Sequence, residues 1–293
     1  MAFPYKNLAF EGGGVWGIGF VGSLKVLDDK KILDQIERIA GTSAGSIVAM
    51  MVALRYSVAE IETIMNDLNF ADFEDKPNIF RVFTKYGYFK GQFALKFLQD
   101  RVKEKLGSPD ATFKDLKEKG GRDLRVYATN LATRHVKEFS YDKTPNISVA
   151  LAARASMSIP LFFAAVNLDD EILVDGGAVF AYPITSFDAV HGGLEQTLGL
   201  AFDHSLSTPG TAPKVEKFGY KKFFRYFRNM FESLMGAQAA IWSQDKEIQA
   251  HTIMIATENI KATQFKLTKE QKQLLFDNGK KAANDFFDKA EQS

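Results

Sequence analysis

Residues 36–54 read IERIAGTSAGSIVAMMVAL. Residues 36–40 have the apolar, β-compatible pattern of a short strand, and residues 45–56 form a very apolar helix. Between them lies Gly41-Thr42-Ser43-Ala44-Gly45, a GxSxG. A serine on a sharp strand-to-helix turn projects its hydroxyl into a site, and Gly41 and Gly45 relieve the crowding of that turn. The helix that starts near Ala44 adds partial positive charge where an oxyanion could form. A Gly/Ser helix cap gives the same five letters. The strand before and the helix after tip the reading toward a nucleophile at Ser43.

Upstream, residues 6–11 (KNLAFE) form a strand that runs into GGGVWGIGFVG at residues 12–22. GxGxxG occurs twice there, which is the pattern of a dinucleotide-binding turn. The bare N–H groups of Gly12, Gly13 and Gly14 suit a phosphate cradle or an oxyanion hole equally well. A dinucleotide site also needs an acid at the end of the second strand, to bind the ribose hydroxyls. That position holds the GxSxG instead. Asp34 and Glu37 come too early, which argues against a nicotinamide cofactor. Gly17, Gly19 and Gly22 then read as close helix packing, on a helix over residues 17–30.

Downstream, helices are expected at 58–68, 91–106 and 146–155, with strands at 124–131, 135–141, 161–168, 171–174, 196–202 and 251–256. A long amphipathic helix is expected at 218–248 and a closing helix at 268–288. Strands alternating with helices predict an α/β sheet covered on both faces. With no repeat, low-complexity tract or linker, the expectation is a single domain over residues 1–293. Asp175-Gly176-Gly177 follows the apolar run Ile172-Leu173-Val174, which places an aspartate at the C-terminal end of a strand, where α/β sites are built. An ordinary Asp-Gly turn has the same letters. His191, His204 and His251 follow Asp175, so the chain order of a histidine triad is formally met. Each of them nevertheless reads better as a loop or strand residue. No HExxH spacing is present, so no catalytic metal and no cofactor are expected.

The bulk numbers are permissive. The 293 residues carry 37 Lys and Arg against 36 Asp and Glu, a net charge of +1. No global field recruits nucleic acid, so no nucleic-acid partner is expected. The absence of cysteine removes disulfides and thiol nucleophiles. The N-terminus lacks the pattern of a cleaved signal, and no run resembles a membrane span. The expected location is the cytoplasm, with peripheral membrane contact as an option.

Taken together, EGGGVWG at residues 11–17, GTSAG and DGG, in that order, resemble the patatin-like phospholipase family. Ala155-Ser156-Met157-Ser158-Ile159-Pro160 is similar to that family's ASxSxP stretch, and ATQFKLTKEQKQLLFDNGKKAANDFF to its closing helix. The resemblance implies a three-layer α/β/α sandwich with a mostly parallel central sheet. It implies a lipid acyl hydrolase of the phospholipase A or lysophospholipase type. In that reading Ser43 is the nucleophile, Asp175 the base, and Gly12, Gly13 and Gly14 the oxyanion hole, with no histidine. Aspartate is a weak base at its ordinary pKa of about 3.9, so burial must help it. The chain departs from the family pattern twice. Trp16 stands where the family has Lys or Arg, so a cation is missing beside the Gly-rich loop. Ala181 stands where an Asn is common, which is expected to loosen a loop hydrogen bond.

Residues 214–235 (KVEKFGYKKFFRYFRNMFESLM) interleave Lys217, Lys221, Lys222, Arg225 and Arg228 with aromatic residues. Such a helix can lie on an anionic membrane or pack its aromatic face on the core. The aromatic run over residues 70–93 reads as a lid, an acyl-chain wall or core. The rival functions are a weakly active or inactive lipid- or partner-binding protein on the same fold, a nicotinamide-dependent oxidoreductase and a histidine-dependent esterase. Oligomeric state is left open by the sequence.

Overall fold

The computed structural model describes residues 3–189, 192–204 and 220–292. Its elements, in chain order, begin with β1 (Asn7–Phe10), α1 (Ile18–Asp29), β2 (Arg38–Thr42), α2 (Ala44–Ala53) and α3 (Val58–Asp67). There follow α4 (Ile79–Lys85), β3 (Gly87–Phe89), α5 (Gln92–Leu106), α6 (Phe113–Glu118), β4 (Asp123–Asn130) and β5 (His135–Phe139). Then come α7 (Val149–Ser156), β6 (Leu161–Phe163), β7 (Val166–Leu168), β8 (Glu171–Asp175) and β9 (Thr197–Phe202). The chain closes with α8 (Tyr220–Trp242), α9 (Lys246–Ala250), β10 (Thr252–Ile255) and α10 (Lys269–Gln292).

The main sheet has the order β10-β9-β1-β2-β4-β8-β7, with β5 also on β4. The five strands from β10 to β4 are mutually parallel, whereas β8, β7 and β5 join antiparallel. This is the mostly parallel α/β sheet that the sequence predicts. A second, two-stranded sheet pairs β3 with β6.

Side-chain alternation explains why helices cover both faces. On β1, Leu8 and Phe10 point into the largest core cluster, while Ala9 joins a separate cluster with Ala201, Tyr182, Ala239 and Trp242. On β4, Val126 and Ala128 share the large cluster, and Tyr127 packs with Ala40 and Phe187. Strands buried on both sides need helices on both sides. Trp242 and Ala239 come from α8, so that helix covers the second face. On the first face α1 lies along α10 through glycine contacts. A Cβ on Gly22 would meet the Phe276 carbonyl at 1.9 Å, and one on Gly279 would meet the Gly19 carbonyl at 1.8 Å. The packing expected of Gly19 and Gly22 is therefore present. Gly17 is different, since its Cβ would find only ordinary contact with Ala44 at 3.6 Å.

Three local expectations are corrected. The second strand ends at Thr42 rather than at residue 40, so Ser43 follows it directly. The helix expected over 218–248 is interrupted after Trp242, because Asp245 caps a new helix by accepting from the N–H groups of Glu247 and Ile248. Residues 70–93 are neither one lid nor one wall. Phe70 and Phe73 are buried in the core, while Phe80 and Phe83 stand out from α4, 75% and 79% exposed. Among the described residues, no helix is long and apolar enough to cross a membrane.

Candidate active site

Ser43 occupies the turn between β2 and α2 with φ +52° and ψ −125°, a conformation that costs a non-glycine residue on the order of 1–3 kcal/mol. Tight packing holds it there. A Cβ on Gly41 would meet the Gly45 carbonyl at 2.5 Å, and a Cβ on Gly45 would meet the Phe10 and Glu11 carbonyls at 2.5 Å. The second contact also presses the elbow against the end of β1, which brings the Gly-rich loop to the serine. A Cβ on Gly12 would lie 3.2 Å from Ser43 Cβ.

Asp175 ends β8, whose pairing with β4 sets Asp175 opposite Ala128. On the same edge of β4, the preceding residue Tyr127 is in register with Thr42. With β5 on the opposite edge over Val126–Asn130, β2 and β8 meet end to end along one edge of β4, and the side chains at their ends meet there. Ser43 Oγ donates to Asp175 Oδ2 at 2.7 Å. Asp175 Oδ1 accepts from the Gly177 N–H at 2.7 Å. Gly176 is required beside it, because a Cβ there would strike the Tyr127 carbonyl at 2.3 Å. The Asp175 carboxyl has no exposure. Burial pushes it up to about 7, against the opposing pull of Ser43, Gly177 and the Arg154 charge.

The ASxSxP stretch positions both residues. Ser156 Oγ accepts from the Ser43 N–H at 2.8 Å and donates to the Tyr127 carbonyl at 2.6 Å. The Asp175 N–H donates to the Ser158 carbonyl at 2.9 Å. Ser158 is itself gripped by Arg154, whose Nη1 donates to Ser158 Oγ at 2.5 Å. Arg154 is buried and also donates to the carbonyls of Gly91, Lys90 and Ala164. Burial lowers this guanidinium to about 10, so it remains charged at neutral pH. Sequence reading missed Arg154 because, apart from the Ser158 hydroxyl, its partners are backbone carbonyls, which no motif displays.

The Gly-rich loop needs one correction. Gly12 is not a free donor, since its N–H donates to the Ala181 carbonyl at 2.9 Å. Its role is close approach to Ser43. The N–H groups of Gly13 and Gly14 donate to no described residue. Gly14 has φ +56°, and a Cβ there would strike the Ala262 carbonyl at 2.1 Å. Trp16 is not a substitute for the family's cation. It is buried, and its Nε1 donates to the Ile260 carbonyl at 2.7 Å. Ala181 does not leave the DGG loop loose either. Gln238 on α8 accepts from the Ala181 N–H and donates to the Gly177 carbonyl, each at 2.8 Å. Next to it, Met235 and Phe231 reach over the loop, each 3.3 Å from where a Gly177 Cβ would be.

None of the described histidines bonds to the Ser43 or Asp175 side chain. His204 Nε2 and Glu11 Oε1 are 3.1 Å apart, and the ring of His251 packs edge-on to Tyr5. His191 falls outside the described residues, as do residues 214–219 of the basic aromatic stretch, Lys217 among them. Among the described residues, no group of three or more His, Cys, Asp or Glu side chains could hold a metal ion.

Known proteins resemble this chain in sequence and in fold. The family model described as "Patatin-like phospholipase" matches residues 8–188. "Uncharacterized protein R571" of Acanthamoeba polyphaga mimivirus is 29% identical over 282 residues, covering 94% of this chain and 92% of that protein. "Probable lipid hydrolase 463L" of Invertebrate iridescent virus 6 is 28% identical over 182 residues, covering 61% of this chain and 62% of its own length. Among solved structures, VipD from Legionella pneumophila aligns with a TM-score of 0.66 at 17% identity, covering 98% of this chain and 67% of VipD.

Proposed function

Because this chain belongs to the patatin-like phospholipase family, we propose that it is a serine lipid acyl hydrolase that cleaves carboxylic esters through an acyl-Ser43 intermediate. One observation carries the reading: the 2.7 Å hydrogen bond from Ser43 Oγ to a buried Asp175 carboxylate. Serine attacks esters only when a neighbouring base takes its proton. A carboxyl raised to about 7 by burial is matched to that task near neutral pH, as acceptor in one step and donor in the next.

Asp175 Oδ2 takes the Ser43 proton as Oγ attacks the ester carbonyl. The negative oxygen that forms is met by the N–H groups of Gly13 and Gly14 and by the positive end of α2. Such preorganised donors contribute about 3–4 kcal/mol each in comparable sites. The tetrahedral centre collapses, the alcohol leaves with the proton held by Asp175, and the acyl group stays on Ser43. Water then gives a proton to Asp175, attacks the acyl carbonyl, and releases the fatty acid and Ser43. In this reading Gly13 and Gly14 serve an oxyanion rather than a pyrophosphate. Family membership, and a second strand that runs into the Ser43 turn where a ribose-binding acid would stand, speak against the nicotinamide reading.

The substrate of this reading is a lipid ester, with a membrane surface as its source. The deciding experiment incubates the protein with mixed lipids and follows free fatty acid and deacylated lipid by mass spectrometry. A fluorophosphonate probe should label Ser43, and Ser43→Ala and Asp175→Asn should abolish turnover. Normal turnover by Ser43→Ala would sink the proposal, and labelled but non-turning-over protein would favour the weakly active lipid-binding alternative.

A further inference from the structure

Two separated elements expose aromatic side chains that a folded protein ordinarily buries. On α4, Phe80 and Phe83 project into solvent, with Tyr86 half-exposed just after it. On α8, Tyr226 is 65% exposed, and Phe223 and Met230 are also open. Isolated apolar residues on a surface need no explanation, but clusters of this kind mark an interaction site.

The two clusters adjoin through one residue. The Tyr88 ring packs on Phe224 of α8 at 4.8 Å. The Tyr88 carbonyl accepts from the Asn78 N–H, which opens α4, and from Arg81 within α4. Both elements also share a charge bias. Residues 78–90 hold three Lys or Arg, residues 220–231 hold four, and neither stretch holds an Asp or Glu. The whole chain, by contrast, balances 37 cations against 36 acids. Asp75 and Glu232, which flank the two stretches in the sequence, are engaged. Asp75 accepts from the N–H groups of Gly91, Gln92 and Phe93, and Glu232 pairs with Arg228 and Thr263.

We propose that α4 and the N-terminal half of α8 form one docking surface for an anionic lipid bilayer. Phe80, Phe83 and Tyr226 enter the interface, and the surrounding lysines and arginines meet the headgroups. The occupant follows from charge complementarity. Exposed aromatic residues on stretches that carry Lys and Arg but no Asp or Glu are the composition of an interfacial element on an anionic membrane. The choice of a bilayer also rests on the lipid-hydrolase reading above. The other face of α8 carries Phe231, Met235 and Gln238 against the DGG loop. Docking therefore takes place on the outer side of the helix that covers the proposed site.

The test is co-sedimentation of the full chain with phosphatidylcholine vesicles, with and without about 30 mol% phosphatidylserine. Wild type should pellet with the anionic vesicles, and less so at high salt. Phe80→Ser with Phe83→Ser should weaken that binding about tenfold, and so, independently, should Tyr226→Ser. All should melt like wild type and keep wild-type turnover of a short-chain soluble ester. Unchanged vesicle binding by the Phe80/Phe83 double variant would overturn the proposal. So would a wild-type dimer that the same changes dissociate without affecting vesicle binding, since the surface would then serve a second copy. Ser43→Ala separates the two readings. It should bind vesicles normally and lose ester turnover, so failure on turnover alone strikes the hydrolase and failure on vesicle binding alone strikes the docking surface.

Discussion

Ser43 Oγ and Asp175 Oδ2 form a 2.7 Å hydrogen bond in which the acceptor carboxyl is wholly buried. No described histidine bonds to either side chain. Burial moves Asp175 to about 7, and only its ionised form can accept the serine proton. Turnover of a soluble ester should therefore rise with pH through a single step near 7. The measurement is kcat/KM between about pH 5 and pH 9. A profile that is flat down to pH 5, or one that falls in His204→Ala or His251→Ala to the level of Asp175→Asn, would contradict the two-residue reading.

The same burial has a consequence for stability. A carboxyl raised on folding binds its proton more tightly in the native state than in the unfolded chain. Its favourable contribution is full below the unfolded pKa of about 3.9 and is lost as pH rises through the folded value. Asp175→Asn keeps the shape, can still accept from the Gly177 N–H, and carries no charge at any pH. It should melt higher than wild type above pH 7 and lose that advantage toward pH 4. Calorimetry at both ends tests the sign, and a variant less stable than wild type at pH 9 would show that the buried charge is well paired after all.

Ser156 is tied to Ser43 through the backbone rather than through chemistry. Its hydroxyl accepts from the Ser43 N–H and donates to the Tyr127 carbonyl. Ser156→Ala should leave both groups unsatisfied and cost about 1–3 kcal/mol. The strained Ser43 turn would lose its anchor, so kcat should fall about tenfold with KM little changed. Equal kcat in the variant would reduce Ser156 to a packing residue.

How much of this was legible beforehand follows from where each partner lies in the chain. The elbow, the Gly-rich loop and Asp175 could be read because each role needs only its own few neighbours: a strand, a turn and a glycine. Ser156, Arg154 and Gln238 could not be read in this way. Ser156 meets Ser43 across 113 residues, and Gln238 meets Gly177 across 61. Apart from the Ser158 hydroxyl that Arg154 holds, their partners are backbone atoms that any residue supplies. The short α4 and β3 went unseen because seven and three residues are too few to display a period. The break after Trp242 was hidden by continuous amphipathicity, and only the Asp245 cap discloses it. The donor assignment at Gly12 required knowing that the Ala181 carbonyl comes within reach.

Trp16 tests whether its departure from the family pattern is a lost function or a different core. The indole is buried against Phe202, at a centroid distance of 5.3 Å, and its Nε1 holds the Ile260 carbonyl. Trp16→Arg would restore the family's charge only by placing a guanidinium in that aromatic site. It should destabilise the protein by about 3–5 kcal/mol, and any change in activity should track the loss of folded protein. Enhanced turnover of anionic phospholipids at unchanged stability would instead make position 16 a headgroup site.

Gly22 and Gly17 belong to one glycine repeat, yet they should respond in opposite ways to the same substitution. At Gly22 an added Cβ would overlap the Phe276 carbonyl at 1.9 Å and the Lys280 amide at 2.8 Å. Both atoms are backbone within α10 and cannot turn aside. Gly22→Ala should therefore push α1 from α10 and cost about 3 kcal/mol, although alanine is the better helix former by about 1 kcal/mol. At Gly17 the added Cβ meets Ala44 Cβ at 3.6 Å, an ordinary contact. Gly17→Ala should stay within about 1 kcal/mol of wild type. Urea titration of the two variants measures the contrast. Gly22→Ala should keep normal turnover of a soluble ester in the fraction that remains folded, because the helix crossing it disturbs lies on the far face of the sheet from α8. Equal stabilities for the two variants would mean that the α1–α10 crossing is looser than these distances require.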